Sequence, residues 1–389
     1  MRDSKRIQWG DLGQLFDGPH ATPTRVSEGP YFLNISSLKS GHLDLSESDH
    51  VSDDDFAKWT RRVTPRENDL LFSYETRLGE AALMPPGVEA CLGRRMALLR
   101  PDPGVIVPRY LLYLYLSPGF QRIIATHTIH GATVPRIGLA TMPEWEVEIP
   151  SLDDQRAIAE VLGALDDKIT ANERTISLSA ELSTSIWRST THKVEHELVA
   201  LSSLARFVNG RAYTKNATGT GRVVIRIAEL NSGIGRSTVY NDIEVPQDNI
   251  ARPGDLLFAW SGSLTVARWH RPEAVVNQHI FKVIPVNGRP QWLVEHALRE
   301  KLEEFRAVAA DKATTMGHIQ RRHLDEPVRI PHQDRIDSVG PQIEALSYQI
   351  SSLHMENLAL AHTRDKLLPL LMSGKVTVKD IEGDIEDVV

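Results

Sequence analysis

The strongest constraint on what this chain can fold into is that it repeats itself. Residues 66–81 (RENDLLFSYETRLGEA) and 252–267 (RPGDLLFAWSGSLTVA) share Arg, Asp-Leu-Leu-Phe, Leu and Ala at an offset of 186. Upstream, Leu12, Gly18 and Thr22 correspond to Leu204, Gly210 and Thr214 at an offset of 192. Ile35, Leu38, Ser40 and Gly41 in NISSLKSG correspond to Ile227, Leu230, Ser232 and Gly233 in RIAELNSG at the same offset. Downstream, Pro101 corresponds to Pro285, Tyr110-Leu111 to Trp292-Leu293, Thr133 and Ile137 to Thr315 and Ile319, and VEIP at 147–150 to VRIP at 328–331. Collinear anchors whose offset drifts smoothly from 192 to 181 mark a tandem duplication whose second copy has shorter loops. The period far exceeds the roughly 20–50 residues of solenoid repeats, so each copy is a domain with its own core. A length of 389 residues suits that division.

Within each copy, β-rich segments bounded by turn residues come first: PYFLNI, DLLFSY and RMALLR, then VVIRIA, DLLFAW and IFKVIP. Apolar residues at helical spacing follow over 108–126 and 290–310, and a last short strand ends in Ile-Pro both times. The fold expected is mixed α/β (α+β). After each Ile-Pro the pattern changes to a heptad. Ser151 with Asp154 resembles a capping box, and Ile158, Leu162, Leu165, Ile169, Asn172, Ile176, Ser179, Ser183 and Ile186 recur in steps of four and three. In the second copy Ile336, Val339, Ile343, Leu346, Ile350, Leu353, Asn357, Leu360, Arg364, Leu367 and Leu371 keep the same spacing. Gly340-Pro341 is expected to delay the continuous helix to Pro341, and Gly374 to end it.

Such seams commonly serve homodimerisation or core packing. Two of similar length in one chain can instead satisfy each other, packed antiparallel in a pseudo-two-fold repeat, with Asn172 and Asn357 as register-setting polar residues. The boundaries expected are a first globule at 1–150, a first long helix at 151–196, a second globule at 197–331, a second helix at 332–375 and an acidic tail at 376–389, disordered from Asp380 to Asp387.

Composition narrows the function classes. The single cysteine, Cys91, excludes an internal disulfide framework, and residues 1–10 offer no apolar stretch for a signal peptide, so a cytoplasmic location is expected. The longest apolar run, 110–116, falls far short of the roughly 20 residues that span a bilayer. No Gly-rich phosphate loop occurs; GTGRVV at 219–224 is an incomplete dinucleotide fingerprint, and MPPG at 84–87 does not match an amino-methyltransferase signature. Pro101-Asp102 and Asp166-x-Lys168 are fragments of a nuclease motif on different elements, and the fifteen histidines show no ligand spacing with cysteine, so neither a nuclease nor a metal site is expected. Net charge is −7, distributed as −3, −3, +4 and −5 over 1–150, 151–196, 197–331 and 332–389. Only 197–331 is basic, so any hold on nucleic acid has to be shared with partners that supply positive charge.

IPSLDDQRAIAEVLGALDDKITANERTISLSAEL from Ile149, following a globule that carries DLLF, resembles the central region of type I restriction-modification specificity subunits. RDKLLPLLMSGKV from Arg364 resembles the end of their second helix. The resemblance covers the whole chain in the order recognition domain, helix, recognition domain, helix. It implies a non-catalytic subunit in which each target recognition domain reads one half of a bipartite, asymmetric target in double-stranded DNA. The helices, an antiparallel coiled coil, would act as spacer and as docking surface for two methyltransferase (modification) subunits. S-adenosylmethionine and ATP would belong to partner subunits, the ATP to a restriction/translocase subunit, and no cofactor or metal to this chain. The chain departs from the pattern where copy one has LGRRM against the more usual VNQHI of copy two, which puts in doubt the residues carried over there. A coiled-coil scaffold without DNA reading is the rival; a single-chain nuclease or methylase would need motifs the sequence lacks.

Residues that read DNA must be polar or cationic groups on loops able to reach a groove edge or a phosphate. The segments just after the repeated strand qualify first: Tyr74, Glu75, Thr76 and Arg77 in copy one, Trp260, Ser261, Gly262 and Ser263 in copy two, with diverged tips on a duplicated scaffold. Tyr74 and Trp260 read equally well as core aromatics. His130, Thr133 and Arg136 pair with Lys312, Thr315, His318 and Arg321 as a second set, for which an ordinary solvated helix start is the plainer account. Arg25, Arg94 and Arg95 in the first domain, and Arg211, Tyr213 and Lys215 in the second, complete the candidates.

Overall fold

A computed structural model describes residues 4–131, 134–192, 195–310 and 318–380. The helices in chain order are α1 (Asp53–Trp59), α2 (Pro108–Leu116), α3 (Pro118–His127), α4 (Leu152–Thr191), α5 (Ile227–Ser232), α6 (Gln291–Ala310) and α7 (Gln333–Met372). Residues 1–168 with 360–389 form one compact unit and residues 169–359 the other, so α4 and α7 each contribute to both. Among the described residues no helix is long and apolar enough to cross a membrane.

In the first unit, Gly13–Asp17, Met96–Pro101, Leu70–Ser73 and Ala81–Leu83 form one antiparallel sheet in that order. Leu98 stands opposite both Phe16 and Leu71. All four residues of Leu70–Ser73 are buried, with Leu70 and Phe72 in one apolar cluster and Leu71 in another. A strand covered on both faces has no polar alternation, which is why the motif reads as an uninterrupted Leu-Leu-Phe. Val26–Leu33 runs parallel to Ala90–Leu92, and Lys5–Gln8 closes against Glu146–Ile149. Ser117 ends α2 and caps α3 by accepting the Phe120 N–H at 3.2 Å. Trp9, Phe72, Tyr115, Phe120 and Trp145 form an aromatic centre, onto which Ile158, Ala159 and Leu162 of α4 and Leu371 of α7 also pack.

The second unit contains the same architecture. Ala205–Asn209, Ile280–Pro285, Leu256–Ala259 and Thr265–Arg268 form its antiparallel sheet in the same order, with Lys282 opposite both Val208 and Leu257. These are the positions that the offsets of 192, 186 and 184 assign to Phe16, Leu71 and Leu98. The parallel pair repeats as Arg222–Ile225 with Ala274–Val276, and the closing pair as His196–Ala200 with Pro327–Pro331. Because a one-residue slip would turn every side chain to the wrong face, the register shared by the two central sheet pairings, the parallel pairs and the closing pairs is a strong mark of common descent. Only the last hairpin differs, being one residue shorter in the second unit, where Phe258 pairs with Val266 as Phe72 does with Ala81. RIAELNSG departs from the strand expected over VVIRIA: the strand stops at Ile225 and α5 begins at Ile227.

Both long helices are 40 residues. α4 starts as its capping signal requires: the Ser151 hydroxyl accepts the Asp154 N–H at 3.2 Å and donates to its carboxylate at 3.0 Å. In the second unit Asn172 Nδ2 donates to Asn357 Oδ1 at 2.8 Å and to Glu356 Oε2 at 3.0 Å, and Ser179 Oγ donates to Gln349 at 3.2 Å. Residue numbers rise along one helix as they fall along the other, so the pair is antiparallel. In the first unit Asp166 accepts from Arg364 at 2.7 Å and from the Tyr113 hydroxyl at 2.6 Å. The expectation that Gly340-Pro341 delays the second helix is wrong, since α7 is continuous from Gln333. Pro341 removes only one N–H, and the turn is held by Ile336 and Ile343, both buried in the second unit's core with Val339 packed against it. The helix ends at Met372, and Gly374 adopts φ 66° as its N–H bonds Leu371 O at 3.0 Å.

Candidate functional site

The segment after Leu70–Ser73 is fixed by backbone bonds on two sides. Tyr74 N–H donates to Arg95 O at 3.1 Å, and Tyr74 O accepts the Ile137 N–H at 2.8 Å. Thr76 and Arg95 both hold positive φ, at 69° and 71°. Glu75 bridges Arg136 through the backbone and ion-pairs Arg95 at 3.0 Å, while Arg95 Nη1 donates to the Thr76 hydroxyl at 3.2 Å. The fold thus gathers Tyr74, Glu75, Thr76, Arg77, Arg94, Arg95 and Arg136 from three loops. Their roles differ. Tyr74 is buried, and burial followed by the nearby Asp17 pushes its hydroxyl above the usual tyrosine range, so its ring is a core aromatic. Arg77 Nη1 donates to Ile35 O at 3.1 Å. Thr76, Arg94, Arg136 and His130 are exposed. Arg25 lies away from this cluster at the edge of Val26–Leu33, ion-paired to Asp49 at 3.0 Å.

The second unit builds the equivalent tip. Trp260 N–H donates to His279 O at 3.2 Å, and Trp260 O accepts the Ile319 N–H at 3.1 Å, which are the Tyr74 bonds repeated. The indole is half-buried, donates to Asn209 Oδ1 at 2.9 Å and lies beside the rings of His279 and His318, at 5.5 and 6.5 Å. Ser261 is buried and bridges His318 through the backbone; Gly262, with φ 65°, turns the chain so that Ser263 is exposed. Arg321 is exposed at the start of a short turn. Arg211 and Lys215 are exposed, but Tyr213 is buried with its hydroxyl on Asn249 Oδ1 at 3.1 Å, holding its loop in place. Thr133, Lys312 and Thr315 lie outside the described residues, as do residues 381–389 of the tail; Asp380 accepts the Thr377 N–H at 2.8 Å.

Sequence reasoning missed Asn209, Gln278 and His279 at this second tip. The repeat carries the signal for two of them: Gln278 and His279 stand at the offset of 184 from Arg94 and Arg95, whose charge alone makes them candidates. Of the nuclease fragments, Asp102 closes a turn on the Gly104 N–H at 2.8 Å and Asp166 is engaged by Arg364 in the helix pair. No group of three or more His, Cys, Asp or Glu able to hold a metal occurs among the described residues.

Residues 25–181 match the family model of the type I restriction modification DNA specificity domain. A putative type I restriction enzyme MjaX specificity subunit of Methanocaldococcus jannaschii is 26% identical over 168 residues, an alignment that takes in 41% of this chain and 38% of that one. The type I restriction enzyme MjaIX specificity subunit of the same organism is 21% identical over 97% of this chain and 94% of its own length. Among solved structures, the type I restriction-modification S subunit from M. genitalium shares the fold, with a TM-score of 0.60 at 16% identity over 95% of this chain and 96% of that one. Residues 25–181, running from the first globule through most of α4, thus match the type I restriction modification DNA specificity domain, and over nearly its whole length the chain is similar to a specificity subunit of a type I restriction enzyme.

Proposed function

We propose that each globule reads one half of a bipartite, asymmetric target in double-stranded DNA through the loops gathered at its tip. The observation that carries this reading is that one backbone frame presents different side chains at its two tips. Tyr74 and Trp260 are held by the same two backbone bonds, yet the next three residues are Glu-Thr-Arg in one copy and Ser-Gly-Ser in the other. Two domains with one frame and different edge groups suit two different half-sites. A scaffold without DNA reading would have no use for that pattern.

The chain itself carries out no chemistry in this reading. It docks two modification subunits along α4 and α7, and S-adenosylmethionine and ATP bind in partner subunits. Docking is supported by large apolar side chains that both helices leave exposed: Leu178 at 55% and Leu182 at 52% on α4, Tyr348 at 77% and Met355 at 46% on α7. The net charge of −7 fits a subunit that holds DNA only with partners that neutralise phosphates. Methylation mapping of a host genome, with and without this chain beside its modification subunit, tests the reading. One asymmetric bipartite motif should lose methylation when the chain is removed; if every motif stays methylated, the proposal fails.

A further inference from the structure

Several cations of the first globule are held by nearby carboxylates. In the first globule Arg25 pairs with Asp49, Arg77 with Glu80, Arg95 with Glu75, Arg100 with Asp69 and Arg109 with Asp167. Arg61 and Arg62, just past the end of α1, are exposed and make no ion pair or hydrogen bond among the described residues. They line a cleft of about 580 Å³ between the end of α1 and the loop that follows Gly13–Asp17. Its walls also include Lys58, His20 and Pro19, and its floor Trp59, Val63 and Leu92. Lys58 is held by Asp55 at 3.1 Å and His20 by Asp17 at 3.1 Å, so the two arginines are the cleft's uncommitted charges.

The cleft abuts the tip. Gly18 N–H donates to Met96 O at 2.9 Å, and a Cβ at Gly18 would come within 2.5 Å of that oxygen and 2.9 Å of Gly93 O. The loop therefore lies against the turn that carries Arg94, which only a glycine permits. The second copy has no such feature: counting back from the Arg66 and Arg252 anchor, Lys58, Arg61 and Arg62 correspond to Glu244, Gln247 and Asp248, and Asp248 is paired with Arg206 at 3.1 Å.

We infer that this cleft is a phosphate-binding site of the first recognition domain, in which Arg61 and Arg62 hold the DNA backbone beside the half-site that the Tyr74–Arg77 loop faces. The apolar floor suits deoxyribose and the free guanidinium groups suit phosphate oxygens, which position a protein on DNA without reading sequence. This site rests on the DNA-reading function proposed above. Its test uses the chain in complex with its modification subunits and compares wild type, R61Q/R62Q and R61K/R62K on target and unrelated duplexes over a range of salt.

Removing one phosphate interaction should flatten the slope of log Kobs against log salt by about 0.9. The glutamine variant should therefore bind both duplexes more weakly, with a slope shallower by about one to two, an unchanged ratio between the duplexes and backbone protection lost beside one half-site only. The lysine variant should retain the slope. A glutamine variant with the wild-type slope, or one that changes sequence preference, overturns the inference. Because the slope is measurable on unrelated DNA, it judges the cleft separately from the function. A wild-type complex that does not prefer its own motif sinks the DNA-reading proposal whatever the arginines do, and one that binds no DNA sinks both.

Discussion

His296 shows how a single buried group sets a condition on the whole second domain. It stacks on Trp187 at 5.4 Å and shares a 2.8 Å hydrogen bond with Ser183 Oγ. Burial pulls its pKa down to about 4 from the usual 6.5. The unfolded chain then takes up this proton first, so stability is intact above pH 6.5 and declines as pH falls toward 4, by on the order of 2 kcal/mol at pH 5. His270, stacked on His354 at 4.4 Å and also lowered to about 4, acts in the same direction. Thermal unfolding of wild type should fall between pH 7 and pH 5, and H296Q, which keeps a partner for Ser183 but cannot charge, should fall less. Equal losses would exclude His296 as a source. At this same scale the candidate residues are only partly legible in the sequence. Arg25, Arg77, Arg61 and Arg62 look alike as letters. Their fates differ because strand pairing and loop closure bring Asp49 to Arg25 and the Ile35 carbonyl to Arg77, and bring nothing to Arg61 and Arg62.

Among the elements, the strands and helices that bury a regular face are readable, and those governed by local exceptions are not. DLLF announces its strand twice because both its faces are covered, and the heptads announce α4 and α7 because Ile158, Leu162, Ile169, Ile336 and Ile343 are all buried at the seam spacing. The start of α7 is misleading in the sequence because Gly340-Pro341 is a local stop signal that core packing overrides. α5 reads as strand because Val223, Val224 and Ile225 run directly into it. Gly340 offers a test. It is buried in α7, and an added Cβ would rest 3.6 Å from the Trp292 ring, an ordinary contact. Alanine there should recover the helix propensity that glycine forfeits, about 1 kcal/mol. Denaturant unfolding of G340A should show a higher midpoint with an unchanged slope; a lower midpoint would mean that the turn before Pro341 needs glycine for its backbone.

For the molecule as a whole, duplication implies divided labour. Substituting exposed tip residues of the first globule, Thr76 or Arg136, should relax recognition at one half of the methylated motif, and substituting Ser263 or His318 should affect only the other half, each good base contact being worth about 1–3 kcal/mol. Motif maps of single variants check this, and a variant that degrades both halves equally would contradict it. The two units also differ in how the chain builds them. The second is a contiguous stretch, residues 169–359, whereas the first is completed by residues 360–389. Translation runs at about 5–20 residues per second, so the apolar face of Ile158, Ala159 and Leu162 waits roughly 10–40 s for Leu367, Leu368 and Leu371 to leave the ribosome. The domain encoded second is thus the one that can finish folding first, and a nascent chain stalled before residue 360 carries an adhesive, half-covered core of the kind that chaperones hold.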